Sequence, residues 1–237
     1  MPENPLLPNR KLRELHTLIT SCRDLDRRHP GTPAREALLA ATAMQLLPGD
    51  VLLAEPGDRT AASLTPAGKS GAKPRRAPSP IAPMALAASM AAGLQAAATE
   101  DTHPGLVLAY ARAGAVEPGW ADALEWAHRS ALPLLLCCAD ATGGTLPPAT
   151  SSERNSALTW PVITRFSGKI GLPVIAVDGE DAVAVYRVMQ ESIIRARAGG
   201  GAAILWAVLS PQRPVRSQSP LARLESYMAA RRIALPR

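Results

Sequence analysis

The stretch from Val107 to Trp120, "VLAYARAGAVEPGW", has the residue types of a phosphate-holding loop, with one anomaly. An apolar run through Tyr110 gives way to small residues, an acid and a Pro-Gly pair follow, and a helix is expected to start near Trp120. Strand, small-residue turn and helix is the layout in which backbone N–H groups and a helix N-terminus hold a phosphate. Such a turn wants glycines and commonly a metal-binding acid. Here Arg112 stands in the turn between Ala111 and Ala113, with Gly114 after them.

Little else in the chain has catalytic spacing. His16, His29, His103 and His128 are scattered, and none pairs with a Cys or a carboxylate at metal-ligand spacing. His128, near Trp126 on an expected helix, reads as a surface or partly buried histidine. No Ser-His-Asp or Cys-His set and no G-x-G-x-x-G occurs, and Gly199-Gly200-Gly201 after a helix reads as its stop. Cys22, Cys137 and Cys138 form no C-x-x-C; the adjacent pair lies in the apolar "LPLLLCC", a buried strand in which Cys acts as a small hydrophobe. A reduced, cytoplasmic compartment is expected. "MPENPLLPNR" has no signal-peptide core, and no apolar run reaches the ~20 residues of a membrane span.

The elements that must position these residues follow from periodicity. With 47% apolar and 19% charged residues in 237, a sizeable core is expected, and with 3% aromatics it must be built from Leu, Ala, Val and Ile. Leu12, Leu15, Leu18, Ile19, Cys22 and Leu25 recur at helical spacing in 10–28. Thr32 is the expected N-cap and Pro33 the first-turn proline of a helix over 34–47, which Pro48-Gly49-Asp50 ends before the strand "VLLAE". Residues 56–80 carry Arg59, Lys69, Lys73, Arg75 and Arg76 among Pro, Gly, Ser and Ala, and read as a flexible basic loop. An Ala-rich helix over 82–98 presents Ala88, Ser89, Ala92 and Gly93 as a small face suited to close packing or a subunit interface. Strand 106–110, helix 119–130, strand 133–138, a polar loop from Ala139 to about Asn155, and a helix or turn near 156–168 follow. The strand "LPVIAV", a helix from Glu180 to Ala198, the strand "AAILWAV" and a last helix near 219–232 complete the chain. Uniformly apolar strands alternating with helices predict one α/β domain over 1–237, a parallel sheet covered by helices on both faces.

Several segments, in order, resemble the alpha subunit of thiamine-diphosphate-dependent 2-oxo-acid dehydrogenases of the pyruvate, branched-chain and acetoin type. "REALLAATAMQLLPGDVLLAE" is similar to that family's "GQEA…LRPGDYVF", and "EPGWADALEWAHRSALPLLLCC" to "EGDFHEALNFAAVYKAPVVFFC". "GLPVIAVDGEDAVAVYRVMQESIIRARAGGGAAILWAV" and "SPLARLESYM" resemble the family's "VDGNDVLAVY" helix with its following strand, and its "DPIARLRAYL". The resemblance implies the thiamine-diphosphate-binding fold, oxidoreductase ancestry and a beta-type partner subunit that supplies the residue activating the cofactor.

It also implies what has been lost. The family's Gly-Asp-Gly, whose Asp binds the Mg²⁺ that bridges the diphosphate, falls on Ala111, Arg112 and Ala113. Its Asn-Asn pair falls on Asp140 and Ala141, leaving the second, ligating position without a side-chain oxygen; a Tyr carbonyl ligand falls on Gly143. Asp140 is one position early to rescue the metal. Mg²⁺ wants oxygen ligands in octahedral array. A guanidinium about 4 Å from a unit charge, at an effective dielectric near 20, is repelled by about 4 kcal/mol, and roughly twice that by Mg²⁺. The family's "YRGHG" and "YRYHGHS" histidine stretches are "EPGDRT" and "LSPQRPVR" here, and Glu117, which matches a family acid, serves equally as a first-turn acid opposing a helix dipole.

The expectation is a degenerate alpha-type subunit, thiamine diphosphate and Mg²⁺ not bound, acting as a structural or regulatory partner of a beta-type subunit or in a homo-oligomer. One alternative is a divergent, active oxidoreductase in which Arg112 pairs directly with the diphosphate. The other, prompted by a net charge of +6, is an anion- or nucleic-acid-binding module using the basic loop. That loop has no base-stacking aromatics, and the basic residues are spread along the chain, so nucleic acid is disfavoured and no membrane association is expected.

Overall fold

The computed structural model describes residues 7–27, 35–53, 75–76, 83–99, 104–115, 119–142, 157–210 and 219–236. Among these residues six strands form one parallel sheet in the order β2-β1-β3-β4-β6-β5. They are β1 (Val51–Leu53), β2 (Arg75–Arg76), β3 (Val107–Arg112), β4 (Leu134–Asp140), β5 (Val174–Asp178) and β6 (Ala203–Val208). β3, β4 and β6 are buried along nearly their whole length, which explains why their sequences are uniformly apolar rather than alternating.

The pleat sends alternate residues to two separate cores. Leu108, Tyr110, Leu135, Cys137 and Leu205 face α1 (Asn9–Arg27), α2 (Glu36–Gln45), α6 (Ala182–Arg195) and α7 (Pro220–Ala230). Val107, Ala109, Ala111, Leu136, Cys138 and Trp206 face α3 (Pro83–Ala96), α4 (Trp120–Arg129) and α5 (Trp160–Ile170). The helix preceding each forward step along the sheet lies on the second face. α6, which precedes the backward step from β5 to β6, lies on the first, as right-handed crossovers require.

Leu12, Leu15, Ile19 and Cys22 are the buried stripe of α1. α2 is buried all round from Glu36 to Ala43 because α1, α6 and α7 all pack on it. Its start departs from expectation: Arg35 is the N-cap and makes no side-chain capping hydrogen bond, and Thr32 and Pro33 lie outside the described residues. Thr42 Oγ1 donates to the Leu38 carbonyl at 2.9 Å and also bonds the Tyr110 hydroxyl, tying α2 to β3.

The expected small face of α3 is divided. Ala88 is in the second core, Ala92 is half-buried, and Ser89 and Gly93 face outward. Within the stretch read as a loop over 56–80, Arg75 and Arg76 form an edge strand parallel to β1; Arg59, Lys69 and Lys73 lie outside the described residues. The helix expected from Glu180 begins at Ala182, capped by Asp181, whose Oδ1 accepts from the N–H groups of Val183 and Ala184. Gly199 at φ +80° and Gly201 at φ +74° end it through a π turn, so the triple glycine is the stop the sequence implied.

Candidate functional site

The carboxyl ends of β3 and β4 bring the sequence-selected residues together. Ala111 pairs with Cys138 and Arg112 with Ala139, so both strands run two residues farther than expected. Arg112 is therefore the last residue of a strand, not part of a turn, because the parallel ladder to β4 continues through it. Ala111 is buried in the second core and Arg112 is exposed. Asp140, expected in a polar loop, is the last residue of β4.

The turn after Arg112 is closed on itself. The Ala113 N–H donates to the Ala139 carbonyl at 3.0 Å, Gly114 N–H to Leu158 at 2.7 Å, and Ala115 N–H to Arg112 at 3.1 Å. Leu158 N–H returns a bond to the Ala115 carbonyl at 2.8 Å. Gly114 adopts φ +83°, a conformation in which an L side chain is strained, and so supplies the bend. Each of these three amides already has an acceptor in the protein.

Asp140 is equally engaged. Its Oδ1 accepts from the Thr142 N–H at 2.9 Å and hydroxyl at 2.6 Å, and its Oδ2 accepts from the Trp206 indole Nε1–H at 3.0 Å. Trp206 is fully buried, with the Trp160 ring against it at 5.6 Å between centroids. Ala141 packs toward the first core, opposite to the Trp206 side. Sequence reading selected Asp140 and missed Trp206, which lies on another strand 66 residues away and shows its role only through register.

A second polar cluster surrounds the Asp178-Gly179-Glu180-Asp181 turn. Asp178 Oδ1 accepts from the Glu180 N–H at 3.0 Å, its Oδ2 pairs with Arg223 at 2.8 Å, and Glu180 accepts from the Ser210 N–H at 2.9 Å. A Cβ on Gly179 would lie 2.9 Å from the Val208 carbonyl oxygen and 2.5 Å from Leu209 Cδ2, so only glycine fits. Gly143, Glu117, His29 and His103 lie outside the described residues. His16 meets Glu225 at 3.2 Å across α1 and α7, and His128 is half-buried on α4, so the structure groups neither with the strand ends.

Among the described residues, this donor set does not fit Mg²⁺. A cation ends β3, the one carboxylate at the end of β4 holds three internal donors, Ala141 offers no side-chain oxygen, and the turn amides are bonded within the chain. Among the described residues no group of three His, Cys, Asp or Glu side chains could hold a metal ion, and no helix is long and apolar enough to cross a membrane.

No protein-family model matches the sequence, and no curated protein matches it. Solved structures do. A protein from Mycobacterium smegmatis assigned as a thiamin diphosphate-dependent enzyme superposes with a TM-score of 0.54 at 12% identity, over 77% of this chain and 33% of that one. Benzoylformate decarboxylase from Polynucleobacter necessarius superposes with a TM-score of 0.51 at 10% identity, over 79% of this chain and 35% of that one. The chain thus spans about a third of the length of either. At such identities the likeness is one of fold, and the fold is that of thiamin diphosphate-dependent enzymes, a parallel α/β sheet covered on both faces.

Proposed function

We propose that this protein is a degenerate alpha-type subunit of a 2-oxo-acid dehydrogenase, non-catalytic, and serving as a structural or regulatory partner of a beta-type subunit. One observation carries the reading: the strand ends where the fold's enzymes would be expected to do chemistry hold a cation and polar groups bonded to one another. The fold likeness supports thiamine-diphosphate ancestry, and the "PGD" and "VDG" segments support the alpha type. The helices and sheet that would form subunit surfaces persist, whereas the groups that would hold the cofactor do not.

The exposure of Arg112 at the end of β3 favours a second reading, in which its guanidinium meets a diphosphate directly. Calorimetric titration of the full chain with thiamine diphosphate, with and without Mg²⁺, separates the two. No heat in either condition is expected. Binding that requires Mg²⁺ would sink the non-catalytic reading, and Mg²⁺-independent binding lost in Arg112→Ala would establish the second. Affinity capture of a beta-type dehydrogenase subunit tests the partnership.

A further inference from the structure

We infer that β5 is a self-pairing edge: two copies of this chain join their sheets by antiparallel pairing of β5 with β5 about a two-fold axis through Ala176, with α6 packed on its counterpart. The inference goes beyond the proposed function and does not depend on it.

β5 ends the sheet, and its ladder fixes which of its backbone groups are used. The Ile204 N–H donates to the Pro173 carbonyl at 2.9 Å, and the Gly179 N–H to the Val208 carbonyl at 2.8 Å. In a parallel ladder of that phase Ile175 and Val177 bond β6, while Val174, Ala176 and Asp178 turn their N–H groups outward. Among the described residues no strand takes these groups up. Edge strands are usually kept apart by lysines, an internal proline, a bulge or shortness. Val174–Val177 is uncharged, and Asp178 is paired with Arg223 at 2.8 Å. The opposite edge, β2, is short and consists of arginine alone.

The β5 edge is complementary to itself. In antiparallel pairing about Ala176, each Ala176 donates to and accepts from the other, and the Asp178 N–H of one copy meets the Val174 carbonyl of the second. Exposed Ala176 lies opposite its own copy and Ile175 opposite Val177, so no like charges are opposed. α6 packs on β5 and β6 alike. It and its counterpart would therefore lie about two strand spacings, roughly 10 Å, apart, the separation of packed helices. Met189, about 10 Å along α6 from its start, is roughly level with Ala176, about 7 Å before the end of β5. The same axis thus sets Arg187 of each copy against Glu191 of the other. α2, tied to β3 by Thr42 and Tyr110, packs on the side of α6 away from β5. Arg187, Glu191 and Ile194, the last 60% exposed, remain on the open side. Within one chain Arg187 and Glu191 meet at 3.7 Å, so the pairs can be exchanged between helices at little cost.

The test is sedimentation equilibrium of the full chain, with circular dichroism reporting the fold. The wild type is expected to dimerise with a Kd of about 10 µM, as befits a small interface. Ala176→Pro removes an outward N–H and leaves the bonds of Ile175 and Val177 to β6 in place, and should weaken the dimer roughly tenfold. Arg187→Glu should weaken it about fivefold, and adding Glu191→Arg should restore it to within about twofold of wild type. A wild type that stays monomeric at about 200 µM would overturn the inference and leave the edge to a different chain. A folded Ala176→Pro protein that dimerises as tightly as wild type would also overturn it, as would a double reversal no tighter than Arg187→Glu alone. Should Ala176→Pro fail to fold, Ala176→Lys takes its place, and an undiminished dimer there overturns the inference. Thiamine diphosphate binding by the wild type would refute the proposed function without touching this result.

Discussion

The two ends of the sheet use charge in opposite ways. At the amino end Asp50 is buried, accepting from the Leu47 N–H at 2.7 Å and the Leu106 N–H at 2.9 Å and pairing with Arg197 of the π turn. Burial is the largest influence on this carboxyl and pushes its pKa up. Arg197 and the two backbone donors pull the other way and hold it toward the charged form. Backbones nearly touch beside it: a Cβ on Gly105 would lie 2.7 Å from the Gly49 carbonyl oxygen. At the carboxyl end Asp178 and Arg223 are about half exposed, and Arg112 is exposed. The difference separates the two kinds of motif in this chain. The carboxylates of "PGD" and "VDGED" close the protein's own backbone donors, a task independent of any cofactor. Across 111–113 and at 141 only Arg112 carries a polar side chain, and it is exposed.

That contrast predicts graded losses. Arg197→Ala strips a buried carboxylate of its counter-charge and should lower unfolding free energy by about 3 kcal/mol in urea denaturation. A loss below about 1 kcal/mol would mean that the amino end is no more dependent on its charges than the carboxyl end. Gly179→Ala sets a methyl against a backbone carbonyl and should cost about 1–3 kcal/mol by the same measurement. Arg223→Ala breaks the partly solvated pair with Asp178, and its effect should be roughly 0.5 kcal/mol and shrink further in added salt. An Arg223 loss equal to that of Arg197 would erase the distinction drawn between the ends.

The architecture was legible because buried parallel strands are continuous apolar runs and their covering helices carry strong boundaries. "LPLLLCC" and "AAILWAV" could be little else. Strand ends were less legible. Ala111-Arg112 and Ala139-Asp140 look like turn chemistry, and only pairing with the neighbouring strand draws them into the ladder. Arg112 could be selected from its residue type. The state of Asp140 could not, since its partner Trp206 reads in sequence as one more apolar residue of a core strand. Glu180 reads in sequence as the first residue of a helix; it instead accepts from the Ser210 N–H, a contact between segments 30 residues apart.

The strand order has a consequence for how the chain reaches its native state. Among the described residues β6 is the last strand in sequence, and it pairs with β4 on one side and β5 on the other. β5 therefore emerges during synthesis with no neighbour to zip onto, and its unsatisfied backbone waits until the segment from Ala203 arrives. Placing β6 between β4 and β5 is a long-range pairing rather than a hairpin closure, the kind of event that slows folding. A chain cut short after Gly200 would lack β6, and β5 would be left without the strand it pairs with.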